Sequence, residues 1–377
     1  MPNELSYWEK STFFYYDIVL IGSGIVGLNA AISLKISEPL LKIAILESGF
    51  LPSGASSKNA GFACFGSISE LIEQESICGP EELMLLVEKR LKGLSKLRAI
   101  LGDSTIDYKP LGGYELFTNN DISLYQTCVS KIEHYNQLIE PITGAATFSV
   151  DKNKISQFGF QGVAGLITNK HEAQIDTGKM MFGLIQYVQN LGVTIFNSCE
   201  AEELINGDKL FVKTKQGNFS GKRIVVTTNA FVNKLIPDLD VKPGRGQVLI
   251  TKPVKDLKFE GTFHYDKGYY YFRNINNRVL LGGGRNLDFA TEETTTLGLT
   301  SKIQTALEKL LAEVILPDTN FEIDYRWSGI MAFGNRLEPI VKETSKNIFC
   351  AVRCSGMGVA MGSQTGEDVA QLVLKSL

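Results

Sequence analysis

A short apolar run, Ile18 to Ile21, breaks into three glycines, Gly22, Gly24 and Gly27, and continues as a second apolar run to Lys35. The order strand, G-x-G-x-x-G, helix restricts this chain more than any other feature. Gly22 permits a tight turn, Gly24 lets the backbone approach a pyrophosphate, and Gly27 lets the helix lie close on the strand. The helix N-terminus adds free N–H groups and partial positive charge. A second strand, Lys42 to Glu47, completes a βαβ unit, and its acid stands 20 residues beyond Gly27. An acid at that distance accepts hydrogen bonds from a ribose. Together these features specify a dinucleotide site, with Ile25, Val26 and Ser48 beside the glycines and the acid.

The uncharged stretch 18 to 34 approaches the length of a membrane span. The glycine spacing breaks it, and no aromatic or basic belt follows. A net charge of -3 without long runs of one sign argues against nucleic-acid or polybasic membrane binding. The six cysteines form no CxxC pair, and a chain this long builds its core without disulfides. Reduced thiols in the cytoplasm are the simple reading. The N-terminus shows no signal-peptide pattern. The three histidines, 134, 171 and 264, are too dispersed for a zinc site, so no metal is expected.

The rest of the chain alternates in texture. Pro80 to Leu101 carries a helical stripe of Leu83, Leu86, Val87, Leu91 and Leu94. Asp176 or Thr177 caps a helix running to Leu191. Lys209 to Phe219 reads as a hairpin, and Arg223 to Thr227 as a buried strand. From Gly246 to Gly284, GQVLIT, GYYYFR and RVLLGGG read as an antiparallel sheet. A final helix is expected from about Gln364 to Leu374. The fold class is α/β: a Rossmann-like domain, discontinuous in sequence, with an inserted α+β domain on an antiparallel sheet. The expected boundaries are 1–90, 160–242 and 331–377 for the first, 91–159 and 243–330 for the second.

The loop after Glu47 is long and made of small and hydroxylic residues, which suits a chain running along a buried flavin. Its sequence, LESGFLPSGASSKNAGF, resembles the GAS-xx-N-x-G segment of the D-amino-acid oxidase-like FAD oxidoreductases, with members of the glycine oxidase and sarcosine oxidase types. RIVVTTNAFVNKL, PGRGQVLIT, YYYFR…NRVLLGGG, RWSGIMAFGNRLEP and CSGMGVAMGSQTGEDVAQLV are similar to later segments of that family, in the family's order. The resemblance implies FAD as cofactor and a C–N bond of an amine or amino acid as the site of oxidation. An imine would be released, and oxygen or another acceptor would reoxidise the flavin. It places Ser56, Ser57, Asn59, Ala60, Gly61, Ala63, Ala201, Thr228 and Asn229 beside the cofactor. Gly356, Met357, Gly358, Val359, Ala360 and Met361 would line the isoalloxazine, where a helix N-terminus favours negative charge on the reduced ring.

On the substrate side, Tyr269, Tyr271 and Arg273 share one face of a strand. Two phenols and a guanidinium fit an anionic or polar substrate; a structural sheet with an exposed arginine is the alternative. His264 reads first as a surface histidine. Two departures from the family stand out. Met331 occupies the position where glycine oxidase-type members carry the arginine that clamps the substrate carboxylate. Met357 replaces the histidine of S-G-H-G, and GNRLEP is closer to γ-glutamylputrescine oxidase-like members. The closing stretch Trp327 to Phe333 lacks the cysteine that some relatives attach to FAD, so non-covalent FAD is expected. Two other readings are a NAD-dependent Rossmann dehydrogenase and a flavin-binding protein without turnover. The loop after Glu47 speaks against the first; Met331 and Met357 motivate the second.

Overall fold

Strand Tyr15–Ile21 is buried on both faces from Ile18 onward, as a parallel strand covered on both sides must be. In the computed structural model, which describes residues 5–377, it pairs in parallel with Ile43–Leu46 and with Gly217–Val226. Thr194–Phe196 extends one edge, and Ile348–Val352 with Ile340–Ser345 extends the other. Leu210–Thr214 and Glu203–Asn206 add an antiparallel meander. One face of this sheet packs on helices Ile25–Ser37, Thr177–Asn190 and Gly358–Leu374, with Pro80–Leu101 beside them.

The second sheet runs Ile323–Phe333, Lys242–Thr251, Arg278–Gly283, Tyr270–Ile275, Thr262–Tyr265, Gly113–Thr118, Val163–Asn169, Phe148–Val150. All neighbours are antiparallel except Thr262–Tyr265 with Gly113–Thr118. Phe259, Phe263 and Phe272 fill its core, with Ile303, Leu307 and Leu311 packed on them.

Four expectations need correction. The last helix begins at Gly358, six residues before Gln364. Glycine weakens a helix, so the sequence reads there as loop; the structure uses Gly362 and Gly366 for close packing instead. A Cβ on Gly366 would lie 2.7 Å from both Val26 O and Ala30 N. Second, strand Val163–Asn169 pairs with Gly113–Thr118, so this part of 160–242 sits in the antiparallel sheet. Third, Leu94 and Leu97 pack in the parallel-sheet core, so the helix from Pro80 stays with the nucleotide half past residue 90. Strand Ile323–Phe333 likewise runs through the expected boundary at 331.

Candidate functional site

The glycine turn, the loop after Glu47, the last helix and the antiparallel sheet all border one cavity of about 1060 Å³. Small-molecule sites run to roughly 300–1,000 Å³, so this is space for a large ligand and more. At one end, Glu47 is 6% exposed. Its carboxylate accepts from Ser23 N at 3.1 Å, Ser23 Oγ at 2.7 Å and Gly49 N at 2.9 Å, which fixes its orientation at the wall. Ile25 N donates to Ser56 Oγ at 3.0 Å and ties the loop to the helix start. A Cβ on Gly27 would enter Thr227 Oγ1 at 2.6 Å, so this glycine serves helix–strand packing.

Two helix N-termini open onto the cavity: one at Gly24, where Ser56 Oγ already takes the Ile25 N–H, and one at Met357, which has no side-chain cap. Uncapped N–H groups are an anion site. Thr228 borders the same space, and its buried Oγ1 has no partner. These features suit a dinucleotide whose phosphates and carbonyls supply the missing acceptors.

The cavity wall includes Gly22, Gly24, Ile25, Val26, Glu47, Ser48, Ser56, Asn59, Ala60 and Gly61 from the predicted set. It also includes Ala201, Thr228, Asn229, Gly356, Met357, Gly358, Val359 and Ala360. Four others lie off it. Gly27 packs beneath the turn, as described. Ser57 is exposed and its Oγ donates to Pro52 O at 2.5 Å. Ala63 is buried in the nucleotide core. Met361 is one turn into the helix and packs with Leu86 and Cys354.

On the substrate side, Tyr269, Tyr271 and Met331 line the cavity. Arg273 does not. It is 3% exposed, and its Nη1 donates to Gly61 O at 2.9 Å and Ile175 O at 2.8 Å. Burial lowers its pKa to about 10, against the pull of Asp176 and Asp107. Period two places it on the right face, but the loop before Phe62 covers that end of the strand. Arg273 is a brace between loop and sheet.

Arg285 is the arginine that reaches the cavity. Gly283 and Gly284 have φ of 117° and 77°, a reversal that favours glycine. It brings Arg285 back over the strand ends. The guanidinium carbon lies 4.0 Å from the Phe333 ring centroid and 4.8 Å from that of Phe289. Burial lowers its pKa, with Tyr269, Glu293 and Glu292 opposing.

His264, expected at the surface, is 4% exposed and borders the cavity. Its Nε2 meets Glu172 Oε2 at 2.9 Å and its Nδ1 meets Glu70 Oε2 at 3.4 Å. Burial opposes its charge, but Glu172, Glu70 and Glu115 outweigh burial and lift its pKa to about 9. Glu115 is itself raised to about 7 by burial, against hydrogen bonds from Ser69. Cys64, Glu172 and His264 bring ligand-type atoms within 4.8 Å of one another. The ion pair already uses the imidazole, and burial with the nearby carboxylates pushes the Cys64 thiol far up, so the cluster reads as an ion-paired wall. The local pattern held no signal for it: His264 takes the polar place between Phe263 and Tyr265 on strand Thr262–Tyr265.

Tyr271 stands between these groups. Its ring is T-shaped to Phe62 at 5.7 Å, and Phe62 is T-shaped to His264 at 5.4 Å. Burial raises its phenol to about 12. Segment 291–300 is strapped against the sheet, and its Thr295, Thr296 and Leu297 reach the cavity. Glu292 takes Arg245 Nε at 2.8 Å and Nη2 at 2.9 Å, and Gln247 Nε2 at 2.9 Å.

Residues 17–372 match the family model described as FAD dependent oxidoreductase. The chain is 22% identical to the probable oxidoreductase OrdL of Haemophilus influenzae, over 95% of this chain and 83% of that protein. It is 23% identical to the glycine oxidase of Geobacillus kaustophilus, over 95% and 93% of the two chains. Its structure is similar to that of the same glycine oxidase, with a TM-score of 0.76 over 97% and 96% of the chains at 21% identity. It is also similar to an L-proline dehydrogenase from P. horikoshii, with a TM-score of 0.75 over 96% and 94% at 18% identity.

Proposed function

The chain belongs to the FAD dependent oxidoreductase family, and on that premise we propose that it oxidises a C–N bond of an amine or amino acid. One observation carries the reading. A single cavity joins the glycine turn, Glu47 and two helix N-termini to a wall of Tyr271, Tyr269, Met331 and Arg285. Bound FAD supplies the hydride acceptor. Glu47 would hold the ribose, the turn at Gly22 and Gly24 with Ile25 and Val26 would hold the pyrophosphate, and Gly358 to Ala360 would hold the flavin ring and favour negative charge on it. Ser56, Asn59, Ala60 and Gly61 line the ring's path, with Ser48, Ala201, Thr228 and Asn229 along the rest.

The protonation states favour direct transfer from a neutral amine. Tyr271 stays a phenol at neutral pH, and His264 stays protonated. Neither accepts a proton readily there, so the substrate amine arrives deprotonated. Reduction should therefore speed up as pH approaches the amine's own pKa. FAD is held without a covalent bond. Cys64 and Cys354 border the cavity, but burial keeps both as thiols, Cys354 at about 12, and the thiol is a poor nucleophile.

None of the six cysteines is paired, which fits a cytoplasmic protein. Among the described residues no helix is long and apolar enough to cross a membrane. The test is anaerobic mixing of the yellow protein with primary amines, secondary amines and amino acids. Loss of flavin absorbance with an amine, and release of the matching carbonyl compound, supports the reading. Bleaching by alcohols or 2-hydroxy acids and by no amine overturns it. Peroxide formation on readmitting air distinguishes oxygen from another acceptor.

A further inference from the structure

Arg353 holds a backbone conformation that long side chains rarely adopt. Its φ is 69°, in the left-handed region where Cβ crowds the following carbonyl. Among the described residues, the other non-glycine positions with positive φ are Asn, Asp, Ser and one Lys. Arg353 is also only 4% exposed. Ser355 and Gly356 follow it with φ of 48° and 82°. Backbone held in this way collects at functional sites and persists where its surroundings over-determine it. Here the turn leads into helix Gly358–Leu374, and Cys354, Ser355, Gly356 and Met357 all border the cavity.

The surroundings do over-determine it. Arg353 N donates to Asn229 Oδ1 at 3.0 Å. Its Nε and Nη2 donate to Glu338 O at 3.0 and 2.7 Å, and its Nη1 donates to Asp240 O at 3.0 Å and Asp240 Oδ2 at 2.6 Å. Ser355 Oγ donates to Leu337 O at 3.3 Å. These partners lie on two segments where the chain crosses between the sheets. Asn229 and Asp240 stand between strands Gly217–Val226 and Lys242–Thr251, and Glu338 stands between Ile323–Phe333 and Ile340–Ser345. A Cβ on Gly334 would lie 2.7 Å from Arg353 Cδ, so the second crossing closes onto the arginine. Asn229, Gly334 and Leu337 border the cavity and Arg353 does not. It acts from behind the wall.

We propose that Arg353 is a positioning residue for the flavin: it locks turn 353–357 and ties it to both crossings, so that the N–H groups of the turn meet the ring at a fixed place relative to strand Ile323–Phe333. A guanidinium suits this role because its planar fork serves acceptors on two segments at once. Reduced flavin carries more negative charge than oxidised flavin, and N–H groups at a helix N-terminus favour that charge. A loosened turn therefore weakens the reduced form more than the oxidised form. The inference rests on the FAD of this family, and only its kinetic arm rests on the C–N oxidation reading.

The test compares arginines that hold opposite ends of the last helix. Arg223 Nε donates to Ser376 Oγ at 2.8 Å, beyond the helix C-terminus, and does not border the cavity. Holoprotein of wild type, Arg353→Gly, Arg353→Lys and Arg223→Ala is compared for FAD dissociation constant, flavin midpoint potential and urea unfolding. Glycine takes a left-handed φ without strain, so Arg353→Gly removes the clamp alone. It should weaken FAD about tenfold, the worth of one hydrogen bond to a charged group. It should also lower the midpoint potential by about 30 mV, a further tenfold loss for the reduced form of a two-electron couple. Arg353→Lys keeps the charge without the fork and should fall between; it carries the same test if the glycine variant does not fold. Arg223→Ala should lower the urea midpoint and keep the wild-type potential. A wild-type potential in Arg353→Gly overturns the proposal, whatever its stability. So does an equal shift in Arg223→Ala, which helix stability alone would explain. With an amine that bleaches the flavin, Arg353→Gly should lower the limiting rate of reduction about tenfold or more and hold the half-saturating concentration within a few fold. The reverse split overturns the proposal. If no amine bleaches the flavin, the C–N oxidation reading fails and the potential still decides on Arg353.

Discussion

The end of the cavity we assign to the nucleotide and the end we assign to the substrate are built from different parts. The nucleotide end is mostly backbone: a glycine turn, two helix N-termini, and one carboxylate held by Ser23 and Gly49. Where the chain turns, the site follows. The substrate end is made of side chains on a curved sheet, and each one's role depends on what covers it. Arg273 and Arg285 show the difference. Arg273 lies on the tyrosine strand and Arg285 just beyond the end of its neighbour, yet the first is capped by the carbonyls of Gly61 and Ile175 and the second opens to the cavity. A face of a strand is set by periodicity; a cavity is set by the elements above it.

That contrast can be broken at several points. The largest expected effect lies outside the cavity. Glu292→Ala strands Arg245 without its carboxylate, and breaking a buried pair costs roughly 3–5 kcal/mol. Urea unfolding should show that loss, with flavin reduction impaired, while protein that remains folded keeps its FAD. Simultaneous loss of FAD would mean that the two ends are not separable.

His264 comes next. Its folded pKa of about 9 lies above the ordinary 6.5, so its stabilisation is present below pH 6.5 and is lost as pH rises through 9. The difference is worth on the order of 3 kcal/mol. Glu115 has the same sign, with loss between 4.5 and about 7. Thermal unfolding of wild type should fall steadily from mildly acidic to alkaline pH, and His264→Gln should flatten the alkaline part. A wild-type protein more stable at pH 9 than at pH 6.5 would contradict the ion-pair account.

On the nucleotide end, Glu47→Gln should weaken FAD by roughly 1.5–3 kcal/mol, the worth of hydrogen bonds to a charged group. Equilibrium dialysis measures it, and unchanged affinity would remove Glu47 from the ribose. Arg273→Met should lower stability by roughly 1–3 kcal/mol, since it leaves the Ile175 carbonyl without its donor, while Gly61 O keeps the Ile175 N–H. The smallest effect is a null one: acid precipitation should leave a colourless pellet and a yellow supernatant. A yellow pellet would point to Cys354 or Cys64.

The sequence carried the nucleotide end because glycine spacing and an acid at a fixed distance are local. It also carried the antiparallel texture from Gly246 to Gly284, and the helix from Pro80 to Leu101. It missed what depends on tertiary cover. The first turn of the last helix hid behind glycines that serve close packing against Ile25 and Ala30. His264 gained its carboxylates from three separate segments, at 70, 115 and 172. Arg285 lay beyond a glycine reversal, past the strand where a cation was sought.

The sharpest test sets the two arginines side by side. Anaerobic flavin reduction by one good amino-acid substrate is measured for wild type, Arg273→Met and Arg285→Met, each with its flavin content. The account predicts that Arg285→Met raises the substrate concentration needed for half-maximal reduction by roughly tenfold or more, while Arg273→Met leaves it within a few fold. The reverse order would contradict it, returning the substrate to Arg273 and making Arg285 a surface residue of the cavity mouth.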